Sequence, residues 1–296
     1  MNTTIKWGFL LLFVVAIMTA GLSLPLLSGT TSAQELRIKG NESVKLDSPM
    51  GVVSDGKRIY VANAGQHQIA VFDQKGKFLT LLGRGGTGEG EFNYPVDVAL
   101  NKNGDLYVAD FHNGRIQVFS KNGEFRFAFP KNQRIKPAAL AIDDKGQVYV
   151  TDVESHTIKI FTEKGDLVRE FGEPGETAGK LRYANGIATS PDGGTIYVAD
   201  SQNNRIQVFS NSGNHLKTIG LPKGAGLPKG LSYSGSTLYV ADSLLHKIFV
   251  LDTDGNLIDQ IGRGEGTFHF PNDVYVAQGK IYIADRGGNQ VFVYSR

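Results

Sequence analysis

The sequence of 296 residues contains no cysteine, and only one tryptophan and three methionines. The absence of cysteine excludes disulfide bonds, thiolate metal sites and a cysteine nucleophile, so stability has to come from packing and strand pairing. An excess of charge of one sign is also lacking, because 31 basic and 29 acidic residues leave a formal net charge of +2. Binding to nucleic acid requires clustered cations, and nucleic acid is therefore not an expected partner.

One long apolar stretch lies near the N-terminus. Residues Trp7 to Leu27 are nearly all apolar or small and follow a single cation, Lys6. About 20 such residues suffice to span a bilayer, whereas Thr31-Ser32-Ala33 offers the small residues that a signal peptidase requires. A cleaved signal peptide and a retained membrane anchor helix both stay open. Either one predicts that residues 1–33 direct export and that residues 34–296 form a domain outside the cytoplasm, secreted or attached to the membrane.

A short strand-like pattern that ends in Asn or Asp recurs six times after this stretch. The copies are Ile59–Asn63, Leu106–Asp110, Val148–Asp152, Ile196–Asp200, Leu238–Asp242 and Ile281–Asp285. Around each copy, β-branched and aromatic runs alternate with glycine-containing turns, which predicts four antiparallel strands per repeat. A period of about 45 residues built only from short strands is typical of β-propeller blades.

The sixth repeat ends at its third strand, Gln290–Ser295, and lacks a fourth. Leu36–Gly40 has the composition of the fourth strands of other repeats, such as Leu216–Gly220. An unpaired sheet edge promotes aggregation, so we expect Leu36–Gly40 to pair with the last repeat. The sequence therefore predicts an all-β, six-bladed β-propeller that is closed by an N-terminal outer strand and preceded by one hydrophobic export or anchor helix.

Several segments carry a resemblance to a known family. They are Gly88–Pro95 (Gly-Glu-Gly-Glu-Phe-Asn-Tyr-Pro), Tyr107–Asp110, Arg115–Phe119 and Asn204–Phe209. These segments resemble the NHL-repeat β-propellers, and the resemblance extends from Leu36 to Arg296. It implies the propeller fold but no single function, because propellers of this kind serve in binding, scaffolding and a few enzymatic roles.

By resemblance to other propellers, a ligand is expected over the central channel, on the face where loops lead into the inner strands. The polar residues at the beginning of these strands are Asp97, Asn185, Lys229, Asn272 and Asp273. We predict that they converge at the channel mouth and bind a ligand. Their oxygen atoms would suit a divalent cation such as calcium. The alternative is that they cap local turns through hydrogen bonds to the backbone, and no catalytic residue, bound metal or resident cofactor is predicted.

Two enzyme families allow a comparison with these residues. Gluconolactonase-like propellers place Glu, Asn and Asp around a divalent cation, and Ala184-Asn185-Gly186 matches their pattern only in part. Lys229 and Asn272 stand where the Asp would be, and Met50 where the Glu would be, so a hard cation would be held poorly.

Histidines follow four of the repeated strand ends. His67, His112, His156 and His246 loosely resemble the metal-binding histidines of the peptidyl-hydroxyglycine amidating lyases. Hairpin turns of successive blades radiate outward, so we favour a role in filling turns over a zinc site. The strand-ending Asn and Asp residues recur in every blade, and we interpret them as acceptors for backbone N–H groups.

The sequence thus favours a non-enzymatic extracytoplasmic module that binds a protein, peptide or glycan. If the N-terminal segment is not cleaved, it also attaches the module to the membrane. The alternative is a metal-dependent hydrolase or lyase, gluconolactonase-like or amidating-lyase-like, with its site at the channel mouth. RNA binding, which occurs in some NHL domains, is not expected, because export and a near-zero net charge both count against it.

Overall fold

The computed structural model describes residues 34–262 and 267–296. In this part of the chain, six four-stranded antiparallel sheets form, and in five of them the strands follow one another in chain order across the sheet. Consecutive hairpins of this kind build propeller blades. The prediction of an all-β six-bladed β-propeller is confirmed.

The four strands of a blade are called inner, second, third and outer, counted from the central channel. The inner strands are Pro49–Ser54, Pro95–Leu100, Pro137–Ile142, Ala184–Thr189, Pro228–Ser234 and Pro271–Ala277. The second strands are Arg58–Asn63, Leu106–Asp110, Val148–Asp152, Thr195–Asp200, Thr237–Asp242 and Lys280–Asp285. The third strands are Gln68–Asp73, Arg115–Phe119, Thr157–Phe161, Arg205–Ser210, Lys247–Asp252 and Gln290–Ser295. The outer strands are Phe78–Leu82, Phe125–Phe129, Leu167–Phe171, His215–Gly220, Leu257–Ile261 and, in blade 6, Gln34–Lys39.

Little regular structure lies outside the blades in the described ranges. Short 3₁₀ turns occur at Ala64–Gln66 and Ser201–Asn203, and Arg84–Gly85 pairs with Glu91–Phe92 in a short parallel ladder. No helix within the described ranges is both long and apolar enough to cross a membrane. The export or anchor helix predicted within residues 1–33 lies outside the described residues.

The outer strand of blade 6 comes from the N-terminal side of the chain. Gln34–Lys39 pairs antiparallel with Gln290–Ser295, so that Ile38 lies opposite Val291. The side chain of Ile38 is only 2% exposed and packs in the core between blades 6 and 1. The predicted closing strand is therefore confirmed, although it begins earlier than Leu36.

The hydrophobic core lies between neighbouring blades. Along the second strand of blade 2, Leu106 and Val108 pack towards blade 1, whereas Tyr107 and Ala109 pack towards blade 3. Both faces of this strand are buried, since alternate side chains point to opposite faces of a sheet. This explains why the second strands are continuous apolar runs in the sequence rather than alternating ones.

Strand register determines which end of the blade carries each loop. Pro95, at the start of an inner strand, lies opposite Asp110, at the end of the second strand. The connection into each inner strand and the turn after each second strand therefore lie on one face of the ring, called here the upper face. The turn that follows an inner strand, such as that containing Asp192, lies on the lower face.

Candidate functional site

A small cavity lies at the upper mouth of the channel. It has a volume of about 50 Å³ and is lined by residues from all six inner strands. Asp97, Asn185, Asn272 and Asp273 lie in its wall, whereas Lys229 does not. The structure thus brings together four of the five residues that the sequence singled out.

The cavity is narrow because the inner strands approach one another closely at their third residues. These residues are Gly51, Asp97, Ala139, Gly186, Gly230 and Asp273. A Cβ atom added to Gly51 would lie 2.5 Å from Asp97 Oδ1, and one added to Gly186 would clash with the carbonyl oxygen of Lys229. A space of this size admits a water molecule or an ion but not an organic substrate.

The two carboxylates at the mouth bind backbone groups of neighbouring blades. Asp97 Oδ2 accepts a hydrogen bond from the backbone N–H of Leu140 at 2.7 Å, and its Oδ1 accepts one from Val98 at 2.8 Å. Asp273 Oδ2 accepts a hydrogen bond from the N–H of Val52 at 3.0 Å. Leu140 and Val52 belong to the blade that follows in each case, so these carboxylates connect adjacent inner strands instead of capping local turns.

The same two carboxyl groups influence each other's ionisation. Burial raises the pKa of Asp97 well above its ordinary value, and the negative charge of Asp273 raises it further. Burial also raises the pKa of Asp273, to about 6. Two buried carboxyls near each other resist simultaneous ionisation, so a proton shared within the pair is favoured. In the described residues, no three His, Asp or Glu side chains are grouped so that they could hold a metal ion.

The two asparagines differ in how completely their side chains are bonded. Asn185 Nδ2 donates to the carbonyl oxygen of Tyr183 at 2.9 Å, and Asn272 Nδ2 donates to that of Met50 at 2.8 Å. Asn272 Oδ1 is buried and has no hydrogen-bond partner in the part of the protein that the structure describes. An unpaired buried acceptor is energetically unfavourable, and this oxygen has almost no surface that an external donor could reach.

Lys229 lies beside the cavity and not in it. Its pKa is lowered to about 8 by burial and by the positive charge of Arg286. Arg286 follows the second strand of blade 6 on the upper face, and its guanidinium lies 5.7 Å from the ring centroid of Phe270. Arg286 was missed by the sequence analysis, although it is the single charged residue directly after any of the six strand ends.

The strand-ending residues have the structural role that the sequence predicts. Asp110 accepts hydrogen bonds from the N–H of Asn93 at 2.7 Å and from Arg115 Nε at 3.0 Å. In every blade, the strand-ending side chain accepts the N–H of a residue one or two positions before the inner strand. The N–H donors are Asp47, Asn93, Lys136, Arg182, Gly226 and His269. These bonds fix the connections between blades.

Three of the histidines fill turns, as predicted, and two of them also connect blades. His67, His156 and His246 adopt left-handed backbone conformations with φ of 55°, 57° and 56°. His67 Nδ1 accepts the N–H of Tyr94 at 3.0 Å, and His156 Nδ1 accepts that of Tyr183 at 3.2 Å. Both tyrosines precede the inner strand of the next blade. The link between blades was not predicted.

Aromatic, apolar and cationic side chains surround the mouth on the upper face. Tyr183 and Leu244 are 47% and 56% exposed. Lys136 Nζ lies 5.1 Å from the ring centroid of Phe111, whose ring also contacts His112. The other large hydrophobic side chains that are exposed in the described part of the chain lie on outer strands and are Leu79, Leu167, Val168, Leu216, Leu257 and Ile258.

Comparison with known proteins agrees with this architecture. The NHL repeat is matched at residues 92–119, 135–161 and 181–209, and a domain described as a 6-bladed beta-propeller is matched at 225–296. The chain thus contains NHL repeats within a six-bladed β-propeller. Human NHL repeat-containing protein 2 is 41% identical to this NHL-repeat propeller over 88 residues, which cover 26% of the propeller chain and 12% of the human protein. The B-box type zinc finger protein ncl-1 of Caenorhabditis elegans is 52% identical over 46 residues, or 16% of this chain and 5% of that protein.

The NHL-repeat propeller thus spans a small part of the curated relatives that it matches. Among solved structures, a streptogramin B lyase superimposes with a TM-score of 0.65 at 20% identity, covering 88% of this chain and 87% of the lyase chain. Virginiamycin B lyase from Staphylococcus aureus gives a TM-score of 0.65 at 15% identity, covering 88% and 98%. At these identities the likeness shows a common fold alone.

Proposed function

We propose that this NHL-repeat propeller is a non-enzymatic module that binds a protein or peptide through its upper face. One observation carries the proposal: a mouth with a cavity of only about 50 Å³ is surrounded by exposed aromatic, apolar and cationic side chains. Interfaces obtain most of their affinity from a few aromatic and arginine residues of this kind. The cavity at the channel mouth is thus too small for an organic substrate, and the side chains around it offer a surface for a protein or peptide.

The rigidity of this surface supports the same proposal. The backbone N–H groups of Tyr94 and Tyr183 are held by hydrogen bonds to His67 and His156 of the preceding blades. A surface that is ordered before binding loses less conformational entropy when a partner binds. The hydrogen bonds between blades therefore favour recognition by a surface that is already ordered.

The proposal places the propeller outside the cytoplasm. It rests on the apolar stretch Trp7 to Leu27, which is long enough to direct export or to anchor the chain. In this proposal residues 1–33 provide the signal or anchor, and residues 34–296 provide the binding domain. Measurement of the mass of the mature chain distinguishes the two, because cleavage after Ala33 leaves Gln34 as the first residue.

A crosslinking experiment tests binding by the upper face. A photoreactive amino acid is placed at Tyr183 or Leu244 on the upper face and, as matched controls of similar exposure, at Leu79 or Leu257 on outer strands. We expect one partner to be crosslinked from the upper positions and not from the outer strands. With the purified partner, Tyr183→Ala should weaken binding about tenfold, as truncation of an interface aromatic does. Equal crosslinking from both sets, or equal affinity, contradicts the proposal.

A metal-dependent hydrolase or lyase is the second candidate, because paired carboxyls with raised pKa values are typical of acid–base sites. Asp97 and Asp273 would be its central residues. It predicts a stoichiometric divalent metal in the purified full chain. Elemental analysis that finds none after incubation with calcium, magnesium or zinc would eliminate it.

A further inference from the structure

A second cavity lies in the lower half of the central channel. It has a volume of about 180 Å³ and is lined by the fourth to sixth residues of inner strands, with contributions from all six blades. An apolar protein cavity of about 150 Å³ can bind benzene, so this space admits a ring-sized molecule. Leu100 and Ile142, the sixth residues of two inner strands, line the cavity and are partly exposed. A ligand can therefore enter from the lower face.

This lower cavity exists because the fifth residues of the inner strands are mostly small. The fifth residues all line the cavity and are Val53, Ala99, Ala141, Ala188, Ser232 and Tyr275. The three alanines and the serine lie on four adjacent blades and leave the space that larger side chains would fill. At the third residues, by contrast, a Cβ atom added to Gly51 would already lie 2.5 Å from Asp97 Oδ1. The channel is therefore narrow above the lower cavity and wider within it.

The wall of the lower cavity carries no charge. Among the residues that the structure describes, no Asp, Glu, Lys, Arg or His lines it, and most of its side chains are aliphatic. Burial raises the pKa of Tyr275 to about 12, so its hydroxyl is neutral at physiological pH. The carboxyls of Asp97 and Asp273 belong to the upper cavity instead. Because an ion would lose its hydration here without gaining a partner, the lower cavity favours a neutral and mainly apolar molecule.

One hydroxyl in this wall has a free donor. Ser232 is 7% exposed, and its Oγ accepts the backbone N–H of Val276 in the inner strand of blade 6 at 3.0 Å. Since this N–H bonds to another blade and not to the second strand, it points to the free edge of the inner strand, which borders the channel. Ser232 Oγ therefore lies at the channel, and within residues 34–262 and 267–296 its O–H proton has no acceptor. An oxygen of a bound ligand would supply one.

We propose that the lower cavity binds a small neutral molecule with an apolar ring and one oxygen acceptor, such as an aromatic alcohol, and that Ser232 donates to this oxygen. The ring of the ligand packs against the alanine methyl groups of the wall. Tyr233 also lines the cavity, and its ring stacks on Tyr197 with a centroid distance of 5.5 Å and an interplanar angle of 15°. A wall that is ordered in advance loses little conformational entropy on binding. This site is separate from the upper face and independent of the proposed protein binding.

Three small probes test the site in the full chain labelled with ¹³C-methyl alanine. Benzyl alcohol carries a ring and a hydroxyl oxygen, ethylbenzene has nearly the same shape without the oxygen, and benzoate carries a charge. We expect both neutral probes to shift the methyl resonances of Ala99, Ala141 and Ala188, because an aromatic ring alters the magnetic field at the groups that it contacts. Ala109 and Ala199 are buried in second strands and should not shift. Benzoate should produce no saturable shift.

Two variants and a control of matched size locate the binding. Ala141→Leu fills the cavity and should abolish the shifts that the neutral probes cause, whereas Ala178→Leu, on an exposed loop, should preserve them. Ser232→Ala removes the donor, so it should weaken binding of benzyl alcohol about fivefold, as loss of one hydrogen bond does, and leave that of ethylbenzene unchanged. The comparison of the two probes in Ser232→Ala keeps the test valid if Ala141→Leu does not fold.

The outcomes separate this site from the proposed function. If the wild type shows no saturable shift at the three alanines, or if Ala141→Leu folds and binds like the wild type, the lower site is wrong while protein binding by the upper face stands. If Ser232→Ala weakens both neutral probes equally, or if benzoate binds as tightly as benzyl alcohol, the assigned ligand chemistry is overturned. If the probes behave as expected but no partner is crosslinked to the upper face, the lower site stands and the proposed function falls.

Discussion

Two rings of side chains on the upper face differ in how uniform they are. The strand-end ring consists of Asn63, Asp110, Asp152, Asp200, Asp242 and Asp285, and the inner ring consists of Gly51, Asp97, Ala139, Gly186, Gly230 and Asp273. Each member of the strand-end ring accepts the backbone N–H of a residue just before its inner strand. In the inner ring, only Asp97 and Asp273 carry polar side chains, and each bonds to the next blade. A residue that is repeated in every blade has a role in the fold, whereas a residue that departs from the repeat is a candidate for a function specific to this propeller.

The largest effect should come from the strand-end ring. Asp110→Ala leaves the N–H of Asn93 and Arg115 Nε without their acceptor, whereas Arg115 Nη2 keeps its two carbonyl acceptors. We expect the free energy of unfolding to fall by about 3–5 kcal/mol, because removal of one partner from a buried pair leaves the other uncompensated. Urea denaturation measures this. Asp254→Ala, which removes only an exposed partner of Lys217, should cost less than about 1 kcal/mol, and equal losses would contradict the assigned role.

Substitutions in the inner ring should have the next largest effect on the free energy of unfolding, because its residues are closely packed. Gly186→Ala introduces a Cβ that clashes with the carbonyl oxygen of Lys229, whereas a Cβ at Gly220 meets no atom within 4 Å. We expect Gly186→Ala to lower the free energy of unfolding by about 2–3 kcal/mol, a typical cost of overpacking. Gly220→Ala is the control and should be nearly neutral. If both glycines tolerate alanine, the inner strands are not closely packed at the mouth.

The two carboxyls of the inner ring predict a pH dependence. The pKa of Asp273 is raised to about 6 by burial, so the folded state holds this proton more tightly than the unfolded state does. Stability from this group is therefore lost as pH rises from about 4 through about 6, and at higher pH the loss is constant at about 3 kcal/mol. Asp273→Asn should flatten the slope of unfolding free energy over this range, as measured by urea denaturation at a series of pH values. An unchanged slope would show that the pair does not influence stability.

The smallest effect should come from a histidine that connects two blades. His67→Ala removes the acceptor for the N–H of Tyr94, and we expect a loss of about 1 kcal/mol in unfolding free energy. His67→Asn should be nearly neutral, because Asn tolerates the left-handed backbone and its amide oxygen can accept the same N–H. Asn289 does this in blade 6, where its Oδ1 accepts the N–H of Ser48 at 2.8 Å. Thermal denaturation compares the wild type with the two variants. Equal melting temperatures of the Ala and Asn variants would contradict the role of His67 as a hydrogen-bond acceptor between blades.

Most of the fold could be predicted from the sequence because each blade repeats the same local signals. The six copies of the second strand and the glycine turns determine blade number and strand order. The missing fourth strand of blade 6 identifies Leu36–Gly40 as its replacement, since an open edge is unfavourable. The short ladder of Arg84–Gly85 with Glu91–Phe92 was not predicted, because two-residue pairing leaves no periodic signal.

The candidate site was predictable only in part. The pairing of inner and second strands is irregular at the first residues of every inner strand, for example between Pro228 and Leu231. A bulge of this kind interrupts the two-residue alternation of side chains, so the sequence does not indicate which way Lys229 points. The proximity of Arg286 to Lys229 and the bond from His67 to Tyr94 arise between blades, and no local pattern carries that information.

The closing strand has a consequence for biosynthesis. Because Gln34–Lys39 completes the blade that contains Gln290–Ser295, the ring cannot shut before the last residues of the chain have been made. At typical ribosomal speeds this leaves the first strand waiting for tens of seconds without its hydrogen-bonding neighbour. Until then the nascent chain exposes the unpaired edge of its first strand and that of the unfinished last blade, and unpaired edges promote aggregation. Shielding by a chaperone or rapid passage through a translocation channel would therefore improve the yield of folded protein.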